Sequence, residues 1–189
     1  MLKILFIRHG KTYGNTLKRY IGTTDEPLMP ESVIELKKKS YPMVDKVYCS
    51  PLLRTRQTAE IIYPQCPATV VDGLKECDFG EFENKNYIEL EHSEEYSKWV
   101  ASQGTLPFPN GEETGHFKDR CVSAFERIVE ENSQSDITIA IVTHGGTIMA
   151  ILERFALPKK SFYCWQVENG EGYSAVLNTD KSLTITGKI

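Results

Sequence analysis

The stretch Leu2-Lys3-Ile4-Leu5-Phe6-Ile7-Arg8-His9-Gly10 decides the fold. Its apolar run contains β-branched residues and stops at Arg8 and His9, which predicts a buried strand that carries two basic side chains to its carboxyl end. Residues 137–146 repeat the pattern, because an apolar run again ends in His144-Gly145. If the two strands are parallel neighbours, their histidines meet at the sheet edge where open α/β sheets bind ligands. We therefore expect an anion to bind at this edge.

The rest of the chain alternates strands with helices, which predicts an α/β fold of three layers, with helices on both sides of a sheet. The predicted sheet is mostly parallel, with an antiparallel edge formed by the last three strands. Ser50 and Pro51 are interpreted as the N-cap and the first residue of a helix. The further predicted strands cover 44–49, 68–71, 162–167, 173–177 and 183–186. The predicted helices cover 30–39, 52–62, 87–100, 112–132 and 146–155.

The composition is typical of one globular domain over residues 1–189, with 40% hydrophobic and 25% charged residues. A formal net charge of −4 disfavours broad electrostatic binding to DNA, RNA or anionic lipid, so anion binding has to be local. The N-terminus lacks a signal-peptide pattern, and no apolar stretch in the sequence approaches the ~20 residues that span a bilayer. We predict a cytoplasmic protein without nucleic-acid or membrane partners.

The cysteines argue against both a disulfide framework and a zinc site. Their number is odd, they are widely spaced, and none forms a C-x-x-C pair. Small buried thiols are the expected interpretation. The five positions are Cys49, Cys66, Cys77, Cys121 and Cys164.

The residues around the two predicted strand ends suit a phosphoryl group. Arg54 lies near the start of a predicted helix, where a positive charge opposes the helix dipole unless an anion is close. A phosphate dianion needs several donors around its oxygens, and the histidines and arginines supply them. A Mg²⁺ site would need carboxylates, which the two His-Gly strand ends lack. Imidazole can act as a neutral nucleophile near pH 7, and a carboxylic acid can then protonate the leaving group.

Four motifs in the same order resemble those of the histidine phosphatase superfamily, which has the phosphoglycerate mutase-like fold. They are Arg8-His9-Gly10, Ser50-Pro51-Leu52-x-Arg54-x-x-Gln57-Thr58-Ala59, Leu74-x-Glu76-x-x-Phe79-Gly80 and Thr143-His144-Gly145-Gly146. The resemblance implies that His9 is the phosphorylated nucleophile and that Glu76 is the proton donor. It further implies that Arg8, Arg54 and His144 hold the phosphoryl oxygens. No metal or other cofactor is implied.

The resemblance also covers the loop after the first strand. It implies that Asn15 lines the pocket, that Arg19 and Gly22 border the substrate entrance, and that Gly145 contacts the substrate. Three residues depart from the family pattern. Lys11 stands where Glu or Gln is frequent, which suggests a different substrate choice at the pocket rim. Val33 replaces a Gly that is common at the first helix cap and Glu83 stands where Gly is frequent, and both are interpreted as structural.

The proton donor and the aromatic residues leave alternatives open. Asp78, Glu81 and Glu83 lie in the same loop as Glu76, so geometry has to choose the acid. For Trp99, Phe108 and Tyr87, a lid over the pocket and ordinary packing are equally compatible with the sequence.

Two enzymatic functions and one binding function are compatible with these residues. Residues 84–111 contain only Lys85 and Lys98 as Lys or Arg, whereas mutases that resemble this family have a longer segment there with more basic residues. The sequence therefore favours hydrolysis of a small-molecule phosphate ester, as in broad-specificity and alpha-ribazole phosphatases. Phosphoglycerate mutase-type transfer is the alternative. A non-catalytic phosphate-binding module is disfavoured because it would not need both His9 and Glu76. The sequence does not fix the oligomeric state, and a homodimer is compatible with it.

Overall fold

A mixed β-sheet forms the centre of the computed structural model, which describes residues 1–132 and 136–189. In these ranges the strands are β1 (Leu2–Arg8), β2 (Lys46–Cys49), β3 (Ala68–Val70), β4 (Ile137–Thr143), β5 (Ala156–Leu157), β6 (Gly172–Leu177) and β7 (Leu183–Lys188). Their order in the sheet is β3-β2-β4-β1-β6-β7-β5. β1, β2, β3 and β4 pair in parallel, while β6 is antiparallel to both β1 and β7. The prediction of a parallel core with an antiparallel edge is confirmed.

Helices cover both faces of this sheet. They are α1 (Tyr13–Thr16), α2 (Pro30–Lys38), α3 (Leu53–Ile62), α4 (Glu94–Ala101), α5 (Thr114–Asn132) and α6 (Gly145–Phe155). Side chains of β1 alternate between the faces: Ile4 and Phe6 join one hydrophobic cluster with α5 and α6, and Ile7 joins the other with Ala59 of α3. The predicted helix-sheet-helix layering is therefore confirmed.

The pairing register of β1 and β4 determines where His9 and His144 lie. Arg8 is the partner of Thr143, so His9 and His144 leave adjacent strands at the same level. The His9 N–H also donates to the Thr143 carbonyl at 2.9 Å. The two His-Gly sequences therefore meet at one edge of the sheet, as predicted.

Three sequence predictions were wrong in detail. Residues Phe162–Trp165 form a 3₁₀ helix instead of a strand, because the Phe162 N–H donates to Glu153 of α6 and Trp165 is buried against the core. The short strand β5 was not predicted.

The other two errors concern helix starts. α3 begins at Leu53, and Ser50 is not its cap, because Asp25 from another loop accepts the Leu53 N–H at 2.6 Å. α4 begins seven residues later than predicted, because the Ser93 hydroxyl accepts the Tyr96 N–H and caps it there.

Two further findings bear on the sequence predictions. No helix within residues 1–132 and 136–189 has the length and apolarity to cross a bilayer. All five cysteines are free; Cys49, Cys77 and Cys121 are buried as expected, whereas Cys164 is exposed.

Candidate active site

His9 and His144 lie edge to face, with ring centroids 5.2 Å apart. Both are buried, with His9 4% and His144 0% exposed. The β-strands fix their backbones, and Thr58 of α3 fixes the following turn by accepting the Gly10 N–H at 3.0 Å. The arrangement brings two imidazoles from distant parts of the chain into one place.

The hydrogen bond of His9 determines its tautomer. Nδ1 lies 2.6 Å from the Gly10 carbonyl oxygen, which can only accept, so Nδ1 carries the proton. Nε2 is then left with a free lone pair. Burial lowers the pKa of His9 well below its ordinary value, and the positive charges of Arg54 and Arg8 lower it further. Near neutral pH the ring is therefore an uncharged base or nucleophile with Nε2 available.

His144 has a different set of partners. Its Nε2 lies 2.8 Å from the Ser50 hydroxyl, while its Nδ1 is buried and has no hydrogen-bond partner within the described residues. Burial lowers its pKa well below the ordinary value, and Arg54, His9 and Arg8 act in the same direction. His144 is the N-cap residue of α6, so the helix N-terminus adds its partial positive charge to the same place.

Arg54 is a fully buried arginine between α3 and the loop after α1. It donates to the carbonyls of Thr24 at 2.7 Å and Gly22 at 2.8 Å. Arg8 is anchored similarly, since its Nη1 donates to the Val167 carbonyl at 2.8 Å. The Nε atom of each arginine is buried and has no partner in the described part of the chain. Two charged groups with unused donors thus flank the histidines, which suits an anion.

Glu76 faces the histidines from the loop that follows β3. Its Oε2 accepts the Gly146 N–H at 3.0 Å, and its Oε1 accepts the Cys77 N–H at 3.0 Å. Burial raises its pKa, against the opposing effect of these two N–H groups and of Arg54 and Arg8. A carboxyl group with a raised pKa retains its proton to higher pH and can act as an acid.

The other carboxylates of this loop are engaged elsewhere. Asp78 accepts the Gly80 N–H, Glu81 accepts from Asn110, and Glu83 accepts the Gly22 and Thr24 N–H groups. None of these three lines the cavity beside His9. Geometry therefore distinguishes Glu76 from the alternatives that the sequence left open.

Arg120 of α5 holds the Glu76 loop in place. It donates to the carbonyls of Gly73, Lys75 and Glu76 at 3.0 to 3.3 Å, and a paired carboxylate of Glu112 fixes its guanidinium. The Glu76 side chain is therefore positioned from both sides, by the loop backbone and by the N-terminus of α6.

A cavity of about 430 Å³ opens beside these groups. Arg8, His9, Glu76 and the backbone of Gly145-Gly146 form its polar end. Arg54 and His144 lie behind this wall and do not line the cavity itself. Aromatic side chains form much of the remaining wall: Tyr20, Phe79, Trp99, Phe108, Phe117, Phe162 and Tyr163. Trp99 and Phe108 thus lie at the cavity, whereas Tyr87 is exposed and outside its wall.

The residues predicted for the entrance have separate positions. Asn15 lines the cavity, where its Oδ1 accepts from Asn169 at 3.1 Å. Arg19 also lines it, but its guanidinium is held by both carboxylate oxygens of Glu89, at 3.2 and 2.7 Å.

Gly22 is not at the cavity wall. A Cβ there would lie 1.9 Å from the Cys77 carbonyl, so Gly22 allows two loops to pack closely. Its part in binding stays a prediction. Lys11 is exposed and also outside the cavity wall.

Sequence reasoning missed one wall of the cavity. Gln166, Val167 and Glu168 line it from the loop before β6, and Asn169 of the same loop donates to the His9 carbonyl at 3.0 Å. The segment has no periodic pattern, and only its Asn-Gly pair signals a turn. Within the described ranges, no group of three or more His, Cys, Asp or Glu side chains is arranged to hold a metal ion.

Comparisons with known proteins match this chain to one family. A family model described as the histidine phosphatase superfamily (branch 1) matches residues 4–185. The chain is 28% identical to the adenosylcobalamin/alpha-ribazole phosphatase of Salmonella typhimurium, over 89% of the chain and 87% of the relative. It is 30% identical to a probable phosphoglycerate mutase of Escherichia coli O1:K1, over 67% of the chain and 62% of that relative.

Solved structures show the same fold. The alpha-ribazole phosphatase of Shigella flexneri superposes with a TM-score of 0.84 and 25% identity, covering 97% of this chain and 94% of that one. A phosphoserine phosphatase of Entamoeba histolytica, in complex with 3-phosphoglyceric acid, has a TM-score of 0.84 and 24% identity, covering 100% and 96%. The predicted phosphoglycerate mutase-like fold is thus confirmed.

Proposed function

The chain belongs to the histidine phosphatase superfamily, branch 1, and from this membership we propose that it hydrolyses small-molecule phosphomonoesters through a phosphohistidine on His9. Residues 1–189 act as a single histidine phosphatase domain in this proposal. The observation that carries it is the free Nε2 of His9, which the Gly10 carbonyl keeps unprotonated at the end of a cavity that also presents Glu76. The reaction needs no metal ion or other cofactor.

In the first step, Nε2 of His9 attacks phosphorus, and the bond from phosphorus to the ester oxygen breaks. The proton of the Glu76 carboxyl group moves to that oxygen, so the leaving group departs as a neutral alcohol. Arg8, Arg54 and His144 stabilise the charge on the phosphoryl oxygens. The unused Nε donors of the two arginines and the unpartnered Nδ1 of His144 support this assignment.

In the second step, Glu76 acts as a carboxylate and takes a proton from water. The water oxygen attacks phosphorus, and the bond from phosphorus to Nε2 breaks. Inorganic phosphate leaves, while His9 returns to its neutral form and Glu76 to its acid form. Throughout the cycle Nδ1 keeps its proton on the Gly10 carbonyl, which stabilises the positive charge that the ring carries while it is phosphorylated.

The cavity wall favours hydrolysis over the mutase alternative. A mutase substrate such as 3-phosphoglycerate carries a carboxylate besides its phosphate, and a second cation has to hold it. Arg19 is the basic residue that lines the described cavity besides Arg8, and Glu89 already neutralises it. Lys85 donates to the Glu81 carbonyl and Lys98 pairs with Glu94, both outside the cavity wall.

Phosphate release from 4-nitrophenyl phosphate tests the proposal. His9→Ala should abolish release, and EDTA should leave the unmodified protein fully active. His116→Ala is the matched control, because it removes an exposed histidine that does not line the cavity. The enzyme quenched during turnover of a labelled ester should carry an acid-labile, alkali-stable phosphoryl group. Full activity of His9→Ala, or loss of activity with EDTA, would contradict the mechanism.

A substrate panel then tests the choice of ester. It should include alpha-ribazole phosphate, because relatives named alpha-ribazole phosphatases match most of the chain. It should also include a 3-phosphoglycerate isomerisation assay. Hydrolysis without isomerisation is the expected result. Isomerisation that depends on a bisphosphate primer would favour the mutase alternative.

A further inference from the structure

The loop between the 3₁₀ helix at 162–165 and β6 places one carboxylate in the cavity. Glu168 lines the cavity together with Arg8 and His9, and its side chain is exposed. Within the described residues its carboxylate accepts no hydrogen bond and has no ion pair within 4 Å. No sequence pattern pointed to it, and the mechanism above makes no use of it.

The position of Glu168 is fixed by bonds on both sides of it. On one side, the Arg8 guanidinium donates to the Val167 carbonyl at 2.8 Å. On the other side, Asn169 Nδ2 donates to the His9 carbonyl at 3.0 Å, and the Gly170 N–H donates to the Arg8 carbonyl at 3.0 Å. The loop is therefore tied to the segment that presents the nucleophile. The backbone of Glu168 consequently lies at a fixed place relative to His9.

The other charged residues at the cavity already have a partner or belong to the phosphoryl site. Arg8 belongs to the phosphoryl site, Glu76 accepts two N–H groups there, and Arg19 is neutralised by Glu89. Beyond the phosphoryl site, Glu168 is thus the charge in the described part of the cavity wall that has no ion pair within 4 Å. Its carboxylate is close enough to Arg8 to act against the lowering of the Arg8 pKa by burial. A leaving group that reaches past the phosphorus meets aromatic rings and one negative charge.

We propose that Glu168 determines specificity, by selecting phosphomonoesters whose leaving group is neutral and hydroxyl-bearing or positively charged, and by rejecting those with a second anionic group. The proposal deepens the function given above and rests on it for the location of the phosphate. A carboxylate accepts hydrogen bonds from hydroxyl or ammonium groups but repels another carboxylate. Specificity of this kind comes from a repulsive element as much as from an attractive one.

Three esters of matched length separate these effects: 2-aminoethyl phosphate, 2-hydroxyethyl phosphate and phosphoglycolate. They differ in a terminal group that is positive, neutral or negative. Two charges about 6 Å apart at an effective dielectric constant of about 40 change affinity by about tenfold. We expect kcat/KM for the neutral ester to exceed that for phosphoglycolate by about this factor. Glu168→Gln should reduce the ratio to near unity, and Glu168→Lys should invert it.

Glu171→Gln is the matched control. Glu171 lies three residues further along the same loop, outside the cavity wall, and its side chain is near Lys39 at 3.8 Å. The substitution removes the same charge from the protein as Glu168→Gln does. Because this charge lies outside the cavity wall, the ratio of kcat/KM between the esters should stay unchanged. A shift of equal size in Glu171→Gln and Glu168→Gln would overturn the proposal, because net charge would then explain it.

Binding of phosphonate analogues makes the test independent of turnover. The corresponding compounds are 3-aminopropylphosphonate, 3-hydroxypropylphosphonate and 3-phosphonopropionate, whose Kd values can be measured by calorimetry. In the unmodified protein the negative compound should bind most weakly and so have the highest Kd. In Glu168→Lys it should bind most tightly. Equal Kd values for all three in the unmodified protein would overturn the role of Glu168. Absence of ester hydrolysis together with the expected order of Kd would instead contradict the proposed phosphatase function.

Discussion

Gly146→Ala should disable the proton donor while leaving the fold intact. A Cβ at this position would lie 2.3 Å from Oε1 of Glu76, whose other oxygen accepts the Gly146 N–H. Ordinary contacts of this kind begin near 3.4 Å, so the carboxylate has to retreat by roughly 1 Å. Because that oxygen is the end of a flexible side chain, the carboxylate moves and the backbone stays.

The expected loss of activity follows from that displacement. A misplacement of about 1 Å in a reacting group can cost about 100-fold in rate, and a general acid contributes about 10²- to 10⁴-fold. We therefore expect kcat/KM for glycerol 2-phosphate, which reports the phosphorylation step, to fall by about 100-fold. The loss should be much smaller for 4-nitrophenyl phosphate, because nitrophenolate leaves without needing a proton.

The assay compares phosphate release from these two esters, with Tm measured on the same preparations. Gly115→Ala is the matched control, since it adds the same methyl group to helix α5 and meets no atom within 4 Å. The control should keep wild-type rates and gain about 0.5–1 kcal/mol of stability.

Two results would refute the reasoning. Wild-type hydrolysis of glycerol 2-phosphate by Gly146→Ala would mean that the position of the Glu76 carboxyl group does not limit proton donation. An equal loss of kcat/KM on both esters would mean that the substitution acts on phosphate binding and not on the acid.

Four other predictions concern the pH dependence of activity, the pH dependence of stability, packing and positioning. The pKa of His9 is lowered from its ordinary 6.5, and that of Glu76 is raised from 4.5. As pH increases, kcat/KM should therefore rise through the pKa of His9, below 6.5, and fall through the pKa of Glu76, above 4.5. Glu76→Gln should remove the falling limb of the pH–rate profile. Burial lowers the pKa of both His9 and His144, so the free energy of unfolding measured in urea should decrease as pH falls below about 6.5; a constant value between pH 7.5 and 5.5 would contradict this. Gly22→Ala should lower stability by about 1–3 kcal/mol or more, since its Cβ would lie 1.9 Å from the Cys77 carbonyl; a Tm equal to that of Gly115→Ala would disprove the close packing. Arg120→Met should reduce turnover of glycerol 2-phosphate more than that of 4-nitrophenyl phosphate, because the Glu76 loop loses three carbonyl bonds; an unchanged ratio between the esters would show that Arg120 does not position the acid.

The sequence alone determined the sheet and the place of the site. Apolar runs ending in His-Gly report a buried strand and its carboxyl end, which are local properties of consecutive residues. The long apolar stripe of α5 is local in the same way, and its predicted start was only two residues from Thr114. The motifs indicated the family and, with it, the candidate site residues.

Helix starts and the C-terminal strands were less predictable, since distant residues decide them. Asp25 caps α3 from a loop that lies 28 residues earlier, which displaces Ser50 from the role its sequence suggests. Glu153 similarly draws Phe162 onto α6 and away from the sheet. A pattern of neighbouring residues carries no information about such partners.

The chemistry of the site also depended on tertiary structure. That Nε2 of His9 is free follows from a carbonyl 2.6 Å from Nδ1, and that Glu76 is the available acid follows from the partners of the other carboxylates. Glu168 reaches the cavity because hydrogen bonds join its loop to residues about 160 positions away. Residue types and spacing thus determined which groups meet at the sheet edge, whereas long-range packing decided their protonation, their partners and the wall that the leaving group meets.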